Sequence, residues 1–178
     1  MEENKKSSLL KSTMNYGVML GLALVIYSLL LWMFDATFNQ GLSYLSYVII
    51  IGGIIYATRA YRDQEQGGYI SYGRALGVGT LTVLFASIIT SFYTYLLFAV
   101  IDTGLMDRLM IIREQALYES GLSDDQIDMA MEMTMRFANP VFTALSGFFG
   151  TVFMGFIFSL ITSIFLKKEG DHPELHYG

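Results

Sequence analysis

Residues 67–102 read GGYISYGRALGVGTLTVLFASIITSFYTYLLFAVID. A glycine pair opens the stretch and a short aromatic, basic segment follows. From Ala75 to Ile101 no residue carries a charge, and the run stops at Asp102. As a helix it would be roughly 40 Å long, against a hydrocarbon core of about 30 Å. A helix apolar all round belongs in a bilayer or deep in a large core. The stretch therefore predicts a loop, a membrane-surface turn and a transmembrane helix that tilts or projects into the headgroups.

Three more blocks of this kind surround it. Met14 to Phe34 has no charge until Asp35 and follows a start carrying Lys5, Lys6 and Lys11. Its length suits a full span of about 20 residues, and no small-x-small cleavage pattern follows, so it reads as an uncleaved first span. Leu42 to Tyr61 is the second block, with Gly52-Gly53 at its middle, where lipid tolerates glycine and close helix contact. Val141 to Leu166 is the fourth, introduced by Asn139-Pro140 and closed by Lys167-Lys168; proline suits a first helical turn. The expected fold is an all-α integral membrane protein. Its four transmembrane helices lie at about 14–34, 42–61, 75–101 and 141–166, between polar tails at 1–13 and 169–178.

Composition agrees. Charged residues are only 15% of the chain and mean hydropathy is +0.47, where soluble chains carry about a quarter charged residues. The acids gather in 102–139, which holds eight acids and three bases and so the whole net charge of -5. No basic patch with interleaved aromatics supports nucleic-acid binding. The absence of cysteine excludes disulfides, thiolate nucleophiles and Cys-ligated zinc.

Within 102–139, Leu105, Leu109, Ile112 and Ala116 recur at helical spacing, Gly121 ends that helix, and Ser123 with Gln126 forms a capping box. From Ile127 to Phe137 apolar residues alternate as in a strand, but Met, Ala, Glu and Gln are helix formers and decide for a helix. The segment is expected to be an extracytoplasmic helical hairpin between spans three and four, joined at 119–123. Lys5, Lys6, Lys11, Arg59, Arg62, Arg74, Lys167 and Lys168 fall on one side, against Arg108, Arg113 and Arg136 on the other. The positive-inside rule then places both termini in the cytoplasm.

Thr143, Gly147, Thr151, Gly155, Ser159 and Ser163 recur every fourth residue along span four. Such a face marks helix contact, within the bundle or at a homodimer seam. Gly17-xxx-Gly21 and Gly73-xxx-Gly77 are shorter examples. Span three carries Thr80, Thr82, Ser87, Thr90, Ser91, Tyr93, Thr94 and Tyr95. They either line a hydrated path or bond to the preceding turn and neighbouring helices. The lack of any charge inside a span weighs against ion-coupled transport.

Met129, Met131, Met133 and Met135 suggest Cu(I) in isolation, yet on a helix they fall on more than one face and methionine fills irregular apolar contacts generally. His172 and His176 are too few for zinc. No catalytic constellation appears, so neither an enzyme activity nor a cofactor or metal is expected. The residues expected to matter structurally are Gly67, Gly68, Gly73, Arg74 and Gly77 before and within span three, and Gly147, Thr151, Gly155 and Ser159 on span four.

Together these features resemble a family of small bacterial membrane proteins catalogued as domain of unknown function 4199. The likeness runs from about Met14 to Lys168. It is carried by Gly67-Gly68-Tyr69-Ile70-Ser71-Tyr72-Gly73-Arg74-Ala75-Leu76-Gly77, by Tyr93-Thr94-Tyr95 with Asp102, by the acidic helical insert and by Asn139-Pro140. The resemblance implies a four-helix integral membrane protein with no assigned activity, substrate or cofactor. The expected role is a non-enzymatic interaction, structural or accessory subunit of the bacterial inner membrane. The alternative is a small oligomeric transporter or channel using the Ser/Thr face of span three. The partners expected are the lipid bilayer and either a second copy or another membrane protein.

Overall fold

The computed structural model describes the backbone of residues 2–168 and the side chains of residues 9–168; His172, His176 and the tail at 169–178 lie outside the described residues. The helices are α1 (Glu2–Met33), α2 (Gln40–Glu65), α3 (Tyr72–Leu96), α4 (Leu105–Glu119), α5 (Asp124–Arg136) and α6 (Pro140–Leu166). A π-helical turn, Leu97–Ile101, continues α3. Among the described residues there is no strand beyond one isolated pairing of Ile70 with Lys168. Leu9–Met33 of α1, all of α2, Tyr72–Ile101 and all of α6 are long and apolar enough to cross a membrane. The chain is a multi-pass, all-α membrane protein.

Helix ends follow local chemistry. The side chains of Asn39 and Asn139 accept from the N–H groups of Leu42 and Phe142, at 3.1 and 2.8 Å, satisfying donors that the first turn leaves unpaired. Gln126 accepts from the Ser123 N–H at 3.1 Å, the return half of a capping box. Composition overrides alternation in α5, which is helical and turns only Ile127 and Met131 fully inward. Three boundaries differ from the expected ones. The polar start runs helically into span one, α2 continues past Tyr61 to Glu65, and α3 begins at Tyr72, so Gly73 and Arg74 lie in its first turn and not in the surface segment.

The packing centres on α3, which touches α1, α2 and α6. Lipid is as apolar as leucine, so close backbone packing, not the hydrophobic effect, must hold such helices together. Glycine supplies it here. A Cβ on Gly17 would stand 2.4 Å from the Phe85 Cβ, and one on Gly155 would stand 2.4 Å from Val83 Cγ1. Between these seams lies an apolar layer of Leu20, Leu24, Ile50, Ile54, Val83 and Ala86.

Both ends of the bundle are pinned. At one end Ile70 and Lys168 exchange backbone hydrogen bonds, each 2.9 Å, and the Lys168 ammonium lies over the Tyr69 ring. At the other, the wide last turn brings the Asp102 N–H to the Leu97 carbonyl at 2.9 Å. There the Trp32 indole donates to the Asp102 carboxylate at 3.1 Å, and Arg108 pairs with Asp35 at 2.7 Å and with Asp102 at 3.9 Å. Replacing Asp102 by Ala strands the indole N–H of half-buried Trp32 beside the buried cluster of Leu97, Phe98 and Leu105. We expect a stability loss of about 1–2 kcal/mol, the cost of one orphaned donor. The emission of Trp32, the chain's single tryptophan, should shift with it; unchanged emission and melting temperature would refute this role for the pair.

Candidate functional site

The turn before α3 is built from two conformations that glycine adopts freely, Gly67 at φ 63° and Gly68 at φ 89°. The Gly68 N–H reaches back to the Arg62 carbonyl at 3.0 Å and closes the end of α2. Arg74 then reaches across from the first turn of α3 and donates to the Gln66 side chain at 2.9 Å, while Gln66 contacts the buried Tyr61 hydroxyl at 3.4 Å. Ser12 of α1 donates to Glu65 in the same region. Gly73 and Gly77 have open space where a Cβ would stand, so neither makes a close helix contact within the chain.

The small-residue face of α6 divides into three parts. Gly155 and Ser159 are buried against α3, where the Ser159 hydroxyl would meet a Cβ on Gly79 at 2.6 Å. Gly147 is exposed with nothing within 4 Å of a Cβ. Thr151, between them, lines a cavity. Gly17, a lesser candidate by sequence, is as tightly packed as Gly155; Gly53 and Gly79 are comparably close to Leu20 and Ser159.

Several hydroxyls of α3 are engaged within the chain, while Tyr95 is exposed. Ser87 is fully buried and donates to the Leu84 carbonyl at 2.8 Å; Ser91 donates across to the Ala144 carbonyl of α6 at 2.9 Å. Thr94 donates to Thr90 O at 2.9 Å, as the preceding-turn reading expects. The buried hydroxyls of Thr80 and Thr82 on α3, Thr58 on α2 and Ser159 on α6 have no hydrogen-bond partner among the described residues, and that of Tyr93 lies beside Ser28.

Of the spaces among the described residues, two bear on function. The first is a cavity of about 220 Å³ among all four spans, in the half of the bundle nearer α4 and α5. Ser28 of α1 and Ser43, Ser46 and Tyr47 of α2 face Thr90, Tyr93 and Thr94 of α3, with Thr151 of α6; Leu24, Val25 and Ile50 complete it. The second is a groove of about 540 Å³ where α4, α5 and the start of α6 meet, lined by Leu109, Met133, Phe137 and Phe142 with Arg113. Gly147 borders it. Beside this groove α5 exposes Met129, Met133 and Met135, at 73%, 66% and 61%, while Met131 is buried. The four methionines therefore do not converge on one point. Among the described residues no three His, Asp or Glu side chains gather as a metal-ligand set.

A protein-family model described as "Protein of unknown function (DUF4199)" matches residues 15–168. No curated protein and no solved structure matches.

Proposed function

Because the chain belongs to the family described as protein of unknown function DUF4199, we propose its role from its own surface: a non-enzymatic accessory subunit that engages another membrane protein through α4 and α5. The observation that carries this reading is the row of exposed methionines on α5 beside the groove against α6. Methionine is flexible and polarisable and suits a face that receives another protein. The surrounding charge selects the partner. The segment 102–139 is net -5. Arg108 and Arg136 are engaged by Asp35 and Glu132, whereas Asp124, Asp125 and Asp128 have no ion pair among the described residues. The occupant is a basic segment with an apolar anchor, steered by the acids and held by the methionines. The eight bases at the end opposite α4 and α5 support cytoplasmic termini, an outside location for α4 and α5, and the bacterial inner membrane as the site.

The alternative, an oligomeric transporter or channel using the Ser/Thr face of α3, draws on the hydroxyl-lined cavity. Within one chain the apolar layer beneath that cavity opposes it, as do Ser87 and Ser91, whose hydroxyls are bonded to backbone carbonyls.

Purification in mild detergent from the native membrane tests the proposal, comparing the chain with Met133→Glu. The expected result is a partner in fixed stoichiometry, released as salt rises and absent from a Met133→Glu chain that melts as the parent does. A lone chain, a homo-oligomer, or a partner indifferent to both salt and Met133→Glu would overturn it.

A further inference from the structure

We propose that the cavity among the four spans is a binding site for a small uncharged molecule rich in hydrogen-bond donors, of the size of a short polyol. This inference does not depend on the partner of α4 and α5.

Size comes first. The space of about 220 Å³ falls below the 300–1,000 Å³ typical of drug-sized ligands and holds roughly seven waters' worth of liquid volume. Chemistry comes second. Most of the lining side chains carry hydroxyls, and they come from all four helices in an otherwise apolar bundle. Ser43, Thr90 and Thr94 give their protons to carbonyls of their own helix end or turn, at 2.9, 3.2 and 2.9 Å. A hydroxyl whose proton is engaged offers only lone pairs, so these three present acceptors. Tyr93 adds a buried hydroxyl that lies beside Ser28, which also lines the space, so the two together offer a polar pair at one wall.

Charge comes third. No acidic, basic or imidazole side chain lines the space, and an ion at this depth requires a counter-charge. The ligand is therefore neutral and donates. Leu24 and Ile50 belong both to the cavity wall and to the apolar layer with Leu20, Ile54 and Val83. A hydrogen-bonding solute stops at that layer, which makes the cavity a place of residence and not of passage.

The absence of native cysteine makes a clean test possible. Ser46→Cys places a thiol in the lining, and Ser120→Cys places one on the exposed connection between α4 and α5. Both are reacted with a small neutral methanethiosulfonate, with and without glycerol, erythritol or urea. We expect at least one probe to slow modification at Ser46→Cys several-fold and to leave Ser120→Cys unchanged. Adding Tyr93→Phe should raise the probe concentration needed by about tenfold, the effect of one buried hydrogen bond, without altering the rate in its absence. No protection by any probe would make this a water-filled cavity only and overturn the proposal. So would equal protection at Ser120→Cys, protection untouched by Tyr93→Phe, or a Ser46→Cys thiol that never reacts.

Discussion

Gly155→Leu should pry α6 from α3 and lower the melting temperature in detergent by an amount corresponding to about 3 kcal/mol, the upper range for overpacking a tight contact. The geometry leaves little choice. A Cβ at 155 would stand 2.4, 2.9 and 2.7 Å from Val83 Cγ1, Cγ2 and Cβ. Val83 is buried, and β-branched side chains on a helix have one strongly preferred rotamer, so it cannot swing aside. Val83→Ala removes the two methyl groups and keeps the Cβ, so the double variant should regain part of the loss. Gly147 belongs to the same four-residue ladder but would carry its Cβ into open space. Gly147→Leu should change stability by no more than about 0.5 kcal/mol, as surface substitutions commonly do. Equal melting temperatures for the 155 and 147 variants would sink the account of a ladder closed against α3 at Gly155 and open at Gly147.

Gly17→Leu should have at least as large an effect on the seam between α1 and α3, again about 3 kcal/mol, expressed as lost yield and a broadened elution profile. Its Cβ would meet the Phe85 Cβ at 2.4 Å and the Thr82 carbonyl oxygen at 2.7 Å. The second of these is backbone, which can yield only if the whole of α3 moves. Phe85→Ala removes neither close atom, so it should rescue nothing. Partial rescue at Gly155 and none at Gly17 is therefore a joint signature of the two seams. Rescue by Phe85→Ala would mean that the aromatic ring, not backbone approach, sets the spacing of α1.

The two seams also show where sequence reading reaches its limit. The four spans are legible because a charge-free block of spanning length has few other solutions, and Asn139-Pro140 announces α6 by local chemistry alone. In α5 the choice between strand and helix was decided by Met, Ala and Glu, and helix is what forms. Spacing identifies a small-residue face, but it carries no information about what stands opposite each rung. Gly147 and Gly155 are equivalent in sequence; only the approach of Val83 distinguishes them. Gly17, in a motif of two glycines, looked lesser for the same reason. The hydroxyl-lined cavity was invisible because its groups come from four helices at unrelated positions. Ser28, Ser43 and Ser46, polar residues isolated in apolar blocks, were the available hint.

The pairing of Ile70 with Lys168 sets an order on biogenesis. Ile70 is buried, and its N–H and C=O are both satisfied by a residue that follows the last span. While the ribosome is still making α6, the turn that leads into α3 therefore has its glycines in place and its latch missing. Three spans can already be in the bilayer at that stage, yet the side of α3 that α6 will cover faces lipid and the turn after α2 lacks its tie to the last span. Emergence of Lys168 fixes both at once. A nascent chain halted after α6 but before Lys168 would hold every membrane helix and lack this closing tie, a difference that protease sensitivity of the 66–71 turn would report.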